Sequence, residues 1–269
     1  MARNLVVLFD GTWNNEKSHT SVTRMREAIA SSGADDPRQP MMYDSGVGTH
    51  WYDRFTGAAF GRGLSENIQQ GYRWLARKHA EGDRIYVFGF SRGAYTARSL
   101  VGLIRKCGIL RSADAPIVER AYALYRDKQV APDDARAAAF RAAESRDARV
   151  RFIGVWDTVG ALGVPVSHVP FSRDYYRWHD TELSRIVDYA CHAIAVDENR
   201  KDYDVAVWTA IRPENIKVEQ RWFVGAHANV GGGYPNDPLH TRPLRWMQDA
   251  AEAAGLALRG KAEVGPQNP

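Results

Sequence analysis

The chain has 269 residues, 44% of them hydrophobic and 25% charged, which is enough apolar material for one large core and predicts a single domain over residues 1–259 with a loose tail at 260–269. No long apolar stretch occurs, the start MARNLVVLFDGTWN lacks a secretory signal, and only Cys107 and Cys191 are present; membrane spans, export by that route, a disulfide framework and a zinc site are therefore not expected, and a cytoplasmic location is. The net charge of +4 comes from interspersed signs, and even the arginine-rich run 136–151 contains Glu144 and Asp147, so the run reads as a solvated helix face able to meet an anionic membrane surface transiently, and nucleic acid is not expected as a partner.

Asn4–Phe9, NLVVLF, is apolar without alternation, as expected of a strand buried on both faces of a parallel sheet. It ends at Asp10-Gly11-Thr12-Trp13-Asn14. Parallel sheets bind ligands at the carboxyl ends of their strands, so this turn is a candidate site wall. The DGT phrase also occurs in haloacid-dehalogenase phosphatases, but their nucleophilic aspartate lies two residues earlier, where this chain has Leu8, and that reading fails.

Residues 21–32 predict a helix capped by Thr20 or Ser21, with Val22, Met25, Ala28 and Ile29 on one face. Residues 41–43 predict a second strand. Residues 50–63, rich in glycine and aromatics, read as a loop beside the pocket, and 64–79 as a helix. The run 85–88 then meets Gly89-Phe90-Ser91-Arg92-Gly93, with a buried helix over 94–107 after it. Helices at 115–127 and 133–145 precede the buried strand Val150–Trp156, which ends at Asp157. Residues 162–181 show no regular periodicity and read as an aromatic loop, either a lid, an acyl-chain wall or core packing. Residues 184–195 read as a helix, 219–224 as the last strand opening into Gly225-Ala226-His227, and 239–254 as the final helix. The whole predicts an α/β-hydrolase-like α/β fold, a mainly parallel sheet with helices on both faces.

Gly89-Phe90-Ser91-Arg92-Gly93 is a G-x-S-x-G pattern between a strand and a helix, a setting that holds a serine hydroxyl away from the backbone. A glycine-rich turn that packs or binds an anion is the competing reading. A serine needs a base and an acid to orient that base. Asp157 and His227 follow later strands, in the chain order serine, aspartate, histidine. His192 and His179 are weaker bases by position, and Asp10, Asp197 and Asp237 are further acids. The oxyanion formed on a substrate carbonyl needs two donors. The backbone N–H of Arg92 is one, and Gly11 or Thr12 supplies the other, with Asp10 holding that loop.

The sequence resembles the DUF2235 family of α/β-hydrolase domains, which includes the Tle1-like phospholipase effectors of type VI secretion systems. The blocks that carry the resemblance are LFDGTWN at 8–14, GVGT at 46–49, GFSRGAYTAR at 89–98, GVWDTVGALG at 154–163, HDTEL at 179–183, HAIAVDENR at 192–200 and WFVGAHANVGGGY at 222–234. The resemblance implies Ser91 as nucleophile, His227 as base, Asp157 as acid, an α/β-hydrolase fold, and hydrolysis of phospholipid or related acyl esters without a cofactor or metal. It also implies a secretion-system or immunity partner and export by a type VI system. Many relatives carry aspartate two residues after the histidine; Asn229 stands there in this chain, which removes a charged role. The resemblance ends near the end of the catalytic core, so the extra membrane-associating region of effector members is not expected in this sequence. A binding or assembly module that keeps the fold without turnover, and a metal-dependent phosphoesterase built on Asp10, Asp44 and Asp157, are the other readings.

Overall fold

The apolar runs at 4–9, 84–90 and 150–156 lie side by side in the middle of one sheet, where both faces of each strand are covered. The computed structural model describes residues 2–11, 14, 17–29, 37–46, 57–159, 182–200, 203, 205–234 and 237–265, with the side chains of 57–62 set aside. Thr12, the loop at 50–56 and the aromatic segment 162–181 with His179 lie outside the described residues.

The strands are β1 (Asn4–Phe9), β2 (Met41–Asp44), β3 (Arg84–Phe90), β4 (Ile109–Leu110), β5 (Ser145–Arg146), β6 (Val150–Trp156), β7 (Val187–Ala195) and β8 (Lys217–Phe223). The helices are α1 (Ser21–Ala28), α2 (Gly57–Lys78), α3 (Arg92–Cys107), α4 (Ala115–Arg126), α5 (Ala135–Glu144), α6 (His227–Gly231) and α7 (Thr241–Ala253). Six strands form the main sheet in the order β2-β1-β3-β6-β7-β8, and every neighbouring pair is parallel.

Side chains divide between the faces with the period of two that defines a strand. Leu5, Val7 and Phe9 of β1 and Ile85 and Val87 of β3 pack with Ile68, Tyr72, Leu100, Leu103 and Val118 of α2, α3 and α4. Val6, Leu8, Tyr86 and Phe88 pack on the other face with Val22, Met25, Val230, Leu244 and Met247 of α1, α6 and α7. Burying one such side chain fully contributes about 1.5–3 kcal/mol, so the two-sided core fixes the register of the central strands.

β2 lies on one side of β1 and β3 on the other, so the winding reverses between β1 and β3. At such a switch point the loops leave the sheet in opposite directions and open a crevice at the carboxyl ends of the strands. Gly11 and Ser91 stand at its two lips.

Three expectations are corrected. Residues 187–195, expected to be helical, form the buried strand β7 between β6 and β8. Pairing with β6 on one side and β8 on the other is a tertiary demand that outweighs alanine's helix propensity. Helix α2 begins at Gly57, so 57–63 are not loop. His227 opens a short helix, α6, rather than a turn. In the expected tail, Lys261 pairs with Asp249 and Glu252 of α7 and the Ala262 N–H donates to Gln248. No helix of the described residues is long and apolar enough to cross a membrane.

Candidate active site

Ser91 joins β3 to α3 with φ 58° and ψ −122°. A positive φ in a non-glycine residue is strained, and it persists only where the surroundings fix it. They do so here. The Ser91 N–H donates to Trp156 O at 3.0 Å, tying the turn to β6. A Cβ on Gly89 would lie 2.4 Å from Gly93 O, and one on Gly93 would lie 2.2 Å from Phe9 O. Both glycines are therefore required by close backbone approach, which brings β1, β3 and the start of α3 together under the serine.

Asp157 occupies the same kind of position one strand along. It has φ 41° and is buried. Its N–H donates to Ala193 O at 2.7 Å, and its Oδ1 accepts from the Ala195 N–H at 2.9 Å. Its Oδ2 meets His227 Nδ1 at 2.6 Å. A carboxylate at that distance accepts from an Nδ1–H, which leaves Nε2 as the lone-pair nitrogen of the ring.

His227 is buried at the start of α6. Its ring centroid is 4.7 Å from that of Phe90, the residue before Ser91, and 4.8 Å edge-on from Tyr203. Its backbone N–H donates to Glu198 Oε2 at 3.3 Å. The Arg200 guanidinium grips Glu198 through two hydrogen bonds and covers the Tyr203 ring at 3.6 Å. Those hydrogen bonds hold the Glu198 carboxyl down to about 2 and raise the Arg200 guanidinium. Asn229 caps the same turn, accepting from the Ala226 N–H and donating to Asp237.

The loop after β1 approaches the elbow from the other lip. A Cβ on Gly11 would lie 3.3 Å from the Phe90 ring. Asp10 is buried beneath it: Oδ1 accepts from the Gly11 N–H at 2.7 Å and from Asn14, and Oδ2 from Thr20 and Tyr43. Burial pushes its carboxyl up to about 6 against these four hydrogen bonds. The Gly11 amide, expected from sequence as an oxyanion donor, thus donates to Asp10. Arg92 is the first residue of α3, where backbone N–H groups have no acceptor within the helix. Burial lowers its guanidinium to about 10.

The remaining sequence candidates are placed elsewhere. Asp197 accepts from the Gly225 N–H, and Asp237 from the Leu239 N–H and Asn229. Asp44 accepts from the Gly46 N–H and Asn67. His192 is a fully buried residue of β7 whose Nε2 accepts from the Thr158 N–H at 3.1 Å. Burial lowers it to about 3, so it is a neutral acceptor that holds the chain just after Asp157. The expected helix over 184–195 hid that role, and Glu198 and Tyr203 carried no signal beyond their place near the HAIAVDENR block.

Residues 3–250 match the family model described as "T6SS, Phospholipase effector Tle1-like, catalytic domain". The chain is 28% identical over 235 residues to the uncharacterised protein YEL023C of Saccharomyces cerevisiae, covering 77% of this chain and 33% of that protein. It therefore spans about a third of that relative's length. Among solved structures, an uncharacterised protein from Pseudomonas aeruginosa superposes with TM-score 0.57 at 20% identity, over 96% of this chain and 46% of that one. Thermogutta terrifontis esterase 2, phosphorylated by paraoxon, superposes with TM-score 0.51 at 14% identity, over 97% of this chain and 85% of that one. These likenesses are of fold.

Proposed function

The chain belongs to the Tle1-like family of type VI secretion phospholipase-effector catalytic domains, and from that premise we propose that it is a serine hydrolase of lipid acyl esters, a lipase or phospholipase A, with Ser91, His227 and Asp157 as its triad. The observation that carries this reading is the 2.6 Å contact between Asp157 and His227, two strand ends that converge beside the strained turn at Ser91.

In this reading His227 Nε2 takes the Ser91 Oγ proton as the oxygen adds to the ester carbonyl, and Asp157 stabilises the imidazolium. Collapse of the tetrahedral intermediate breaks the bond to the alcohol, which leaves with the proton from His227. A water, deprotonated by His227, then attacks the acyl-Ser91 carbonyl and releases the carboxylic acid. The Arg92 N–H faces the oxyanion as the first donor. With the Gly11 amide committed to Asp10, the second donor falls to Thr12, and Asp10 with Gly89 and Gly93 sets the shape of the turns. The reaction uses neither cofactor nor metal. Residues 1–259 act as one catalytic unit on a lipid or small ester presented at a membrane surface, and a secretion component or an immunity protein is its macromolecular partner.

Thermogutta terrifontis esterase 2 is phosphorylated by paraoxon, and the same kind of reagent suits a serine held as Ser91 is. A binding module that merely keeps the fold has no use for the ~1–3 kcal/mol of strain at such a residue. The test is hydrolysis of p-nitrophenyl esters of graded chain length and of phospholipid in mixed micelles. Turnover is expected, and Ser91→Ala should lower kcat by about 10⁴-fold or more. A Ser91→Ala protein as active as the parent sinks the nucleophile, and a folded parent inert on the whole panel favours the binding module.

A further inference from the structure

β8 ends the six-stranded sheet, and among the described residues no strand lies beyond it. Two hydrogen bonds at its carboxyl end give the direction of its backbone groups. The Val196 N–H donates to Phe223 O at 3.1 Å, and the Asp197 N–H donates to Gly225 O at 3.2 Å. Along a strand the N–H and C=O of one residue point to one side and those of the next to the other. Phe223 and Arg221 therefore address β7, while Val218, Gln220 and Trp222 turn their backbone groups outward.

The side chains of this edge fall into two sets. Lys217, Glu219 and Arg221 share one face, with Glu219 bonded to Arg221 at 2.8 Å and to Lys217 at 2.5 Å. Val218, Gln220 and Trp222 share the other, where Gln220 bonds the backbone N–H and O of Trp208. Trp222 is 59% exposed and Val224 68%. An open edge with charged side chains is guarded against indiscriminate pairing. These charges, however, permit one pairing of the strand with itself.

We propose that β8 is a dimerisation strand: two copies pair antiparallel about a two-fold axis through Gln220, joining their sheets into one. In this register Val218, Gln220 and Trp222 of one copy meet Trp222, Gln220 and Val218 of the other, so every outward N–H and C=O finds a partner. Glu219 of each copy faces Arg221 of the other, and the exposed Trp222 covers Val218. A slip of one pair in either direction sets Glu219 against Glu219 or Arg221 against Arg221, and like charges directly opposite each other are unfavourable. The charge pattern thus selects both the partner, a second copy of this chain, and the register. The interface is isologous, the symmetry of closed dimers.

Sedimentation velocity over a concentration series tests it, with circular dichroism as the check on folding. The parent is expected to sediment at the mass of two chains at tens of micromolar. Glu219→Arg and Arg221→Glu, each of which sets like charges across the axis, should weaken association at least about tenfold, and the double variant Glu219→Arg/Arg221→Glu should restore it. A monomeric parent, a dimer that survives both single changes, or a double variant that stays monomeric overturns the proposal.

Discussion

Ser91 and Asp157 share a backbone irregularity as well as a site. Of the described non-glycine residues, His19, Ser91 and Asp157 have positive φ, and two of these three stand at the two ends of the proposed proton path. Each is held by an N–H bond to the next strand, Ser91 to Trp156 O and Asp157 to Ala193 O, so the sheet itself bears the strain. His192 extends this support by accepting from the Thr158 N–H, and it links the site to acid stability. An unfolded imidazole titrates near 6.5, whereas burial lowers the folded His192 to about 3. The unfolded chain therefore takes up the proton first, and stability present above pH 6.5 is lost as pH falls toward 3. Between pH 6.5 and 5 the loss is about 2 kcal/mol. Asp10 acts with the opposite sign, because its carboxyl is raised to about 6 and its contribution fades as pH rises from about 4 through 6. Comparing urea unfolding of the parent and His192→Gln at the two pH values isolates the histidine: the parent should lose about 2 kcal/mol more than the variant. Parallel losses would remove His192 from this role.

α6 holds His227, the proposed base, by lying directly on the turn at Phe90 and Ser91. A Cβ on Gly231 would fall 1.8 Å from the Phe90 ring, so the helix comes this close only because that residue has no side chain. Gly231→Ala should push α6 and His227 off Phe90. Because a displacement of about 1 Å can cost a hundredfold in rate, kcat/KM is expected to fall about a hundredfold, and thermal stability should fall by much less in proportion. Steady-state kinetics beside a thermal melt decides this, and an unchanged kcat/KM would contradict it. At this scale sequence reading succeeded where burial leaves a pattern. β1, β3 and β6 are continuous apolar runs, and α3, α4 and α5 lie within a few residues of their expected bounds. It failed at β7, whose three alanines suit a helix as well and which becomes strand because β6 and β8 offer it ladders on both sides.

At the scale of the molecule, the site is the product of the strand order. β3, β6 and β8 end on one side of the sheet, so residues far apart in sequence converge there, and Asp157 reaches His227 across 70 positions. The proposed triad of Ser91, Asp157 and His227 could be nominated from sequence because each stands just past a strand, where α/β sheets place their chemistry. The bond from the Gly11 amide to Asp10 could not be, since it depends on a buried carboxylate that only the folded turn supplies. Everything rests on the reactivity of Ser91. The most direct measurement is therefore intact mass and peptide mapping after treatment with a fluorophosphonate. A single adduct on Ser91, absent from Ser91→Ala and formed much more slowly in Asp157→Asn, is predicted. Labelling of Ser91→Ala to the same extent, or an adduct that maps to another residue, would contradict it.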